Sequence, residues 1–127
     1  MRDGTDLTII ATGGCVGSAL VAHDALQASR ISARVLNMHT LKPLDRAAVE
    51  RAARETARLV TVEEHSIIGG LGGAVAEVIA ELGKGRLTRV GIRDVFCTEV
   101  EPYPELLRIH GIDAAGIEAA ARKMIAD

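Results

Sequence analysis

The stretch "LVTVEEHSIIGGLGGAVAEVIAEL", Leu59 to Leu82, passes from an apolar, β-branched run to two acids and a histidine. It then runs through four glycines into a helical pattern. "LVTV" (Leu59 to Val62) is short and apolar on both faces, as a buried parallel strand requires. After the glycines, Leu71, Val75, Val78, Ile79 and Leu82 recur at the 3–4 spacing of an amphipathic helix. "GKG" (Gly83 to Gly85) ends that helix, because glycine tolerates the left-handed cap conformation. One strand feeding one helix through a tight loop is the unit from which parallel sheets are built.

The same unit recurs on both sides. "DLTIIAT" (Asp6 to Thr12) reads as a strand, followed by "GGCVG" and a helix with Val16, Ala19, Leu20, His23 and Leu26 on one side. "SARVLNM" (Ser32 to Met38) is the next strand. Pro43 stops it, Asp45 caps a helix, and Val49, Ala52, Ala53 and Thr56 form that helix's inner stripe. "LTRVGI" (Leu87 to Ile92) is a fourth strand, weakened by Gly91. "YPELLRIHG" makes a short helix closed by Gly111, and Asp113 caps a last helix facing inward through Ile117, Ala121, Met124 and Ile125. Strand and helix alternating four times, with a further helix, predict a three-layer α/β/α domain over residues 1–127, with a mostly parallel sheet covered on both faces.

Composition narrows the function. A chain of 127 residues fits one domain and buries roughly two-thirds of its extended surface. Apolar residues are 48 % of it and aromatic residues 2 %, so the core is aliphatic and base-stacking platforms are almost absent. A formal charge of −2 leaves no electrostatic footprint for nucleic acid. No apolar run reaches the ~20 residues of a membrane span, and the expected setting is the cytoplasm. Cys15 and Cys97 lack metal-type spacing, and neither His39, His110 nor "EVEPYPE" supplies one, so no metal site is expected.

Ligands of parallel sheets gather at the carboxyl ends of the strands. "TGGCVG" misses the dinucleotide fingerprint: Thr12 stands where the first glycine belongs, and Asn37 replaces the acid of the second strand. The loop is a tight turn into a helix, with a weak anion site at its amides as the alternative. Cys15 at that helix start reads as a packing residue ahead of a nucleophile, and His23 likewise as packing. Gly69, Gly70, Gly72 and Gly73 are not a phosphate loop, since no Gly-Lys-Ser/Thr follows. They bare the main chain at a helix head, where another surface can approach closely. Ile67 and Ile68 add apolar docking surface. Glu63 and Glu64 point to opposite faces while extended, which weakens paired acid–base chemistry. For them and His65, a solvated strand end and an interface role both stay open.

The segments "DLTIIATG", "SARVLNMHTLKPLD", "RLVTVEEHSIIGGLGGAVAEVIAE" and "GIDAAGIEAAARK" together resemble the carboxyl-terminal domain of transketolase-type enzymes. That domain also occurs in deoxyxylulose-phosphate synthase and in 2-oxo acid dehydrogenase beta chains. "VTVEEHSIIGGLGGAVAE" points to transketolase, in a bacterial two-subunit form. The resemblance implies a mixed five-strand sheet whose first, antiparallel strand would precede Asp6, with only "MRDGT" of it retained in a domain cut from a longer protein. It implies an enzyme transferring a two-carbon ketol unit between sugar phosphates. Thiamine diphosphate and a divalent cation would lie between two preceding domains at a dimer interface, and this third domain would hold neither. The family's Gly-Asp-Gly diphosphate motif is absent. The expected role is assembly with the cofactor-binding domains or subunit, through Glu63, Glu64, His65, Ile67, Ile68, Gly69, Gly70, Gly72 and Gly73. Two other readings stand beside it: a free-standing flavodoxin-like nucleotide domain using the helix starts at Gly14 and Gly70, and a thiol enzyme built on Cys15. One departure from the family is Phe96-Cys97-Thr98-Glu99-Val100, where Phe-Gly-x-Ser-Gly is usual; losing both glycines stiffens that loop.

Overall fold

In the computed structural model, which describes residues 1–127, nine elements follow one another. They are β1 (Leu7–Ala11), α1 (Cys15–Ala28), β2 (Ala33–Asn37), α2 (Arg46–Glu55), β3 (Arg58–Ser66), α3 (Leu71–Leu82), β4 (Arg86–Ile92), α4 (Tyr103–Ile109) and α5 (Ala114–Ala126). The sheet order is β2-β1-β3-β4, and all three pairings are parallel. The expected antiparallel edge strand survives as a single bridge: Arg2 and Val35 exchange both backbone hydrogen bonds, at 3.3 and 3.0 Å. Four parallel strands and one bridging residue thus stand where a five-strand sheet was implied.

The two-residue period of the strands splits the core in two. Leu7, Ile9 and Ala11 of β1, with Val60 and Val62 of β3, pack against Ala19 and Leu26 of α1 and Ile117 and Ala121 of α5. Ile10 and Leu59 face the other way, onto Val49, Ala52 and Ala53 of α2 and Leu71, Val75 and Val78 of α3. Thr8 lies on this second face too; its hydroxyl is 2.9 Å from that of Thr56, so the buried pair satisfies itself.

The predicted caps form. Asp45 Oδ1 accepts from the Ala48 amide at 3.0 Å, and Asp113 Oδ1 from the Gly116 amide at 2.9 Å. Gly83 takes φ 65° and closes α3. The chief departure is β3, which continues four residues beyond Val62, to Ser66. It stays beside β4 through an irregularity between Val62 and Ser66. Acids normally end a buried strand, and a partner inside the protein is what lets Glu63 remain in this one.

A candidate site at the carboxyl edge of the sheet

Strand order reverses between β1 and β3, and there the strand ends open a cleft of about 290 Å³. Its lining includes Thr12, Gly13 and Gly14 after β1, Glu63, Glu64 and His65 at the end of β3, and Gly69 and Gly70 before α3.

The strand period sends the two acids to different neighbours. Glu63 turns toward α3 and is only 1 % exposed. Its two carboxylate oxygens accept from the Leu71 and Gly72 amides, each at 2.7 Å. It is therefore the N-terminal cap of α3, supplied from eight residues upstream, because Gly70 at the cap position has no side chain to offer. Three glycines make room for it. A Cβ on Gly70 would strike Glu63 Oε2, one on Gly72 would lie 3.0 Å from Oε1, and one on Gly91 would lie 3.1 Å from its Cγ.

Glu64 faces α1. It is exposed, and it accepts a short hydrogen bond from the Tyr103 hydroxyl, beside Gly14. That bond raises the Tyr103 phenol to about 12, since ionising it would set two negative charges together. His65 is also exposed, with Nδ1 2.8 Å from the Ser66 carbonyl. A carbonyl only accepts, so Nδ1 is the donor in this contact. Arg89 Nη1 donates to the Ile67 carbonyl at 2.9 Å and ties the loop to β4.

The expected contact surface is thereby divided. Glu64, His65, Ile68 and Gly69 are exposed, and Gly73 has open space where a side chain would project. Glu63, Ile67, Gly70 and Gly72 are buried inside the domain. For Gly70 and Gly72 the expected bare main chain gives way to space for this chain's own Glu63, while Glu63 and Ile67, expected at the surface, lie inside the domain. Spacing alone concealed the cap, because the acceptor lies eight residues before its first donor and not at the usual cap position.

This geometry also removes the anion sites of the nucleotide-domain alternative. Two leading amides of α3 already hold a carboxylate. At α1, the Cys15 and Val16 amides bond the Thr12 and Gly13 carbonyls at 3.2 and 3.3 Å, with Glu64 alongside. A phosphate would meet filled donors and two acids, so these residues do not fit the diphosphate of a thiamine cofactor. The Cys15 thiol is pushed up to about 12, by burial first and then by Glu64 and Glu63, the opposite of nucleophile activation.

What the edge does present is apolar surface. Leu41, Ile68, Val95, Phe96, Val100 and Tyr103 are all exposed, and all follow the carboxyl ends of β2, β3 or β4. Phe96 is 93 % and Val100 97 % exposed, on the segment 93–102 that has no helix or strand. One further juxtaposition escaped sequence reading. Cys97, Glu99 and His110 come together, although spacings of two and eleven residues match no familiar ligand pattern.

Similarity to known proteins agrees with this fold. The family model "Transketolase, C-terminal domain" matches residues 1–117. The chain is 45 % identical over 124 residues to the 6-deoxy-6-sulfo-D-fructose transketolase subunit SqwH of Clostridium sp. strain MSTE9, covering 98 % of this chain and 38 % of that protein. It is 43 % identical over 128 residues to 1-deoxy-D-xylulose-5-phosphate synthase 1 of Geobacter sulfurreducens, covering 99 % of this chain and 20 % of that one. A solved structure titled "Split gene transketolase, inactive beta4 tetramer" superposes with a TM-score of 0.90 at 44 % identity, over 98 % of this chain and 41 % of that chain. This chain therefore spans about two-fifths or less of these relatives. It belongs to the transketolase C-terminal domain family.

Proposed function

We propose that the chain is the carboxyl-terminal part of a transketolase-type transferase that depends on thiamine diphosphate and a divalent cation. The rest of that enzyme moves a two-carbon ketol unit between sugar phosphates, within a cytoplasmic assembly built as a symmetric dimer. This part performs no chemistry; it docks on the cofactor-binding domains or subunit and stabilises the assembly.

The observation that carries the reading is the apolar edge of the sheet. Six large side chains that follow the strand ends, five of them wholly apolar, are exposed to water, and Leu41 among them lines the cleft whose helix starts refuse anions. Exposed patches of this kind, rimmed by polar groups, mark protein contacts. Glu64, His65, Ile68, Gly69 and Gly73 extend the patch and are the contact residues retained from the glycine-rich loop. Relatives named as transketolase subunits support assembly from separate chains. The names among the relatives span several transketolases and a synthase, so ketol transfer, and not one sugar, is the common ground.

The test pairs this chain with the matching amino-terminal transketolase part, loaded with thiamine diphosphate and Mg²⁺. A stable complex by analytical ultracentrifugation is expected, together with ketol-transfer activity that neither part has alone. Phe96→Ser with Val100→Ser should weaken the complex while leaving the circular dichroism of this chain unchanged. Full activity of the amino-terminal part alone, or a complex indifferent to the double variant, refutes the proposal.

A further inference from the structure

We propose that Cys97, Glu99 and His110 form a zinc site that clips the segment 93–102 to the end of α4. The Cys97 sulfur, a Glu99 carboxylate oxygen and a His110 ring nitrogen all lie within 4.8 Å of one another. Thiolate, imidazole and carboxylate are a donor set that zinc takes in tetrahedral geometry, with bonds of roughly 2.0–2.3 Å. Such bonds place ligand atoms roughly 3.3–3.8 Å apart. The present group therefore needs to contract by about 1 Å. Cys97 and Glu99 lie in exposed chain without helix or strand, where a shift of that size breaks no sheet or helix hydrogen bond.

A second observation points the same way. The His110 Nε2 is buried and has no hydrogen-bond partner within the protein. Buried polar nitrogens are normally satisfied, so this ring has a nitrogen open to a further partner. Competition for the other two groups is weak. The Cys97 thiol has only a long contact, 3.9 Å, to the Glu99 carbonyl, and the Glu99 carboxylate accepts from the exposed Thr98 amide at 3.0 Å. On binding, the Cys97 S–H proton leaves to solvent, the sulfur lone pair forms the metal bond, and the metal keeps its charge of two. A water fills the fourth position of this three-ligand site. Since Phe96 and Val100 flank the two ligands in the segment, the metal fixes the pose of the two most exposed apolar side chains.

The test uses the full 127-residue chain, reduced and freed of metal by a chelator, titrated with Zn²⁺ against a chromophoric chelator and separately with Co²⁺. One equivalent of Zn²⁺ should bind, and Co²⁺ should give a thiolate-to-metal charge-transfer band. Cys97→Ser should abolish that band, and Cys97→Ser and His110→Gln should each weaken Zn²⁺ by at least about tenfold. His39→Gln should change nothing. Cys97 is exposed, so its variant keeps the fold, and circular dichroism checks both. Failure to take up Zn²⁺, a Co²⁺ spectrum without the thiolate band, or uptake unchanged in Cys97→Ser overturns the proposal. None of these results depends on the partner part of the enzyme, so the site and the assembly reading stand or fall separately.

Discussion

Replacing Glu63 by alanine tests the centre of this fold. The carboxylate makes two charge-assisted hydrogen bonds of 2.7 Å to the Leu71 and Gly72 amides, in a fully buried place at the positive end of α3. Charge-assisted bonds are worth about 1.5–3 kcal/mol each, and a buried donor left unmade costs about 1–3 kcal/mol. These two figures describe one loss from two sides, so they are not added. Glu63→Ala should therefore destabilise the chain by about 3–5 kcal/mol, a large share of the 5–15 kcal/mol that holds a typical domain. Glu63→Gln keeps one acceptor but turns an NH₂ toward an amide donor, and should fall at about 2–3 kcal/mol. The assay is urea unfolding followed by far-ultraviolet circular dichroism, since the chain has no Trp and one Tyr. With a slope of about 1.5 kcal/mol/M, the alanine variant's midpoint drops by roughly 2–3 M at unchanged slope. In native-state hydrogen exchange, the Leu71 and Gly72 amides should lose protection ahead of the rest of α3. Glu64→Ala, one residue on but exposed, should cost no more than about 1 kcal/mol. If Glu63→Ala costs less than about 1 kcal/mol, or the two variants cost the same, the capping account is wrong.

Two further results are expected. Gly73→Ala meets open space within α3 and should stabilise the isolated chain by about 0.5–1 kcal/mol, whereas Gly70→Ala collides with Glu63 and should cost about 2 kcal/mol; equal effects in thermal melts would contradict the packing described. The single tyrosine, Tyr103, should ionise near 12 in a near-ultraviolet absorbance titration and return toward 10 in Glu64→Gln. Because its folded value lies above its unfolded one, the stability from that bond is present below pH 10 and is lost as pH rises toward 12, and an ordinary midpoint in the parent chain would remove the Tyr103–Glu64 bond.

Much of the fold is legible in the order of residues, for local reasons. The two-residue period in "DLTIIAT" and "LVTV", the 3–4 spacing in α2, α3 and α5, and the caps at Asp45, Asp113 and Gly83 each act within a few residues of chain. Alternation of the elements then leaves a parallel sheet as the arrangement that buries both faces. The resemblance carried by "VTVEEHSIIGGLGGAVAE" reached the family itself.

The roles of the glycines and acids were decided elsewhere. In the sequence, Glu63 and Glu64 are neighbours with equal claims to solvent, and four glycines look like bare main chain. Only packing α3 against β3 shows that one carboxylate finds two amides eight and nine residues on, while the other meets a tyrosine 39 residues away. Only the path from β4 to α4 brings Cys97 and Glu99 beside His110. Local spacing governs which element forms, because backbone hydrogen bonds and side-chain periods span a turn or a strand. Which polar group is satisfied, and which is left facing outward, depends on partners that distance along the chain does not reveal.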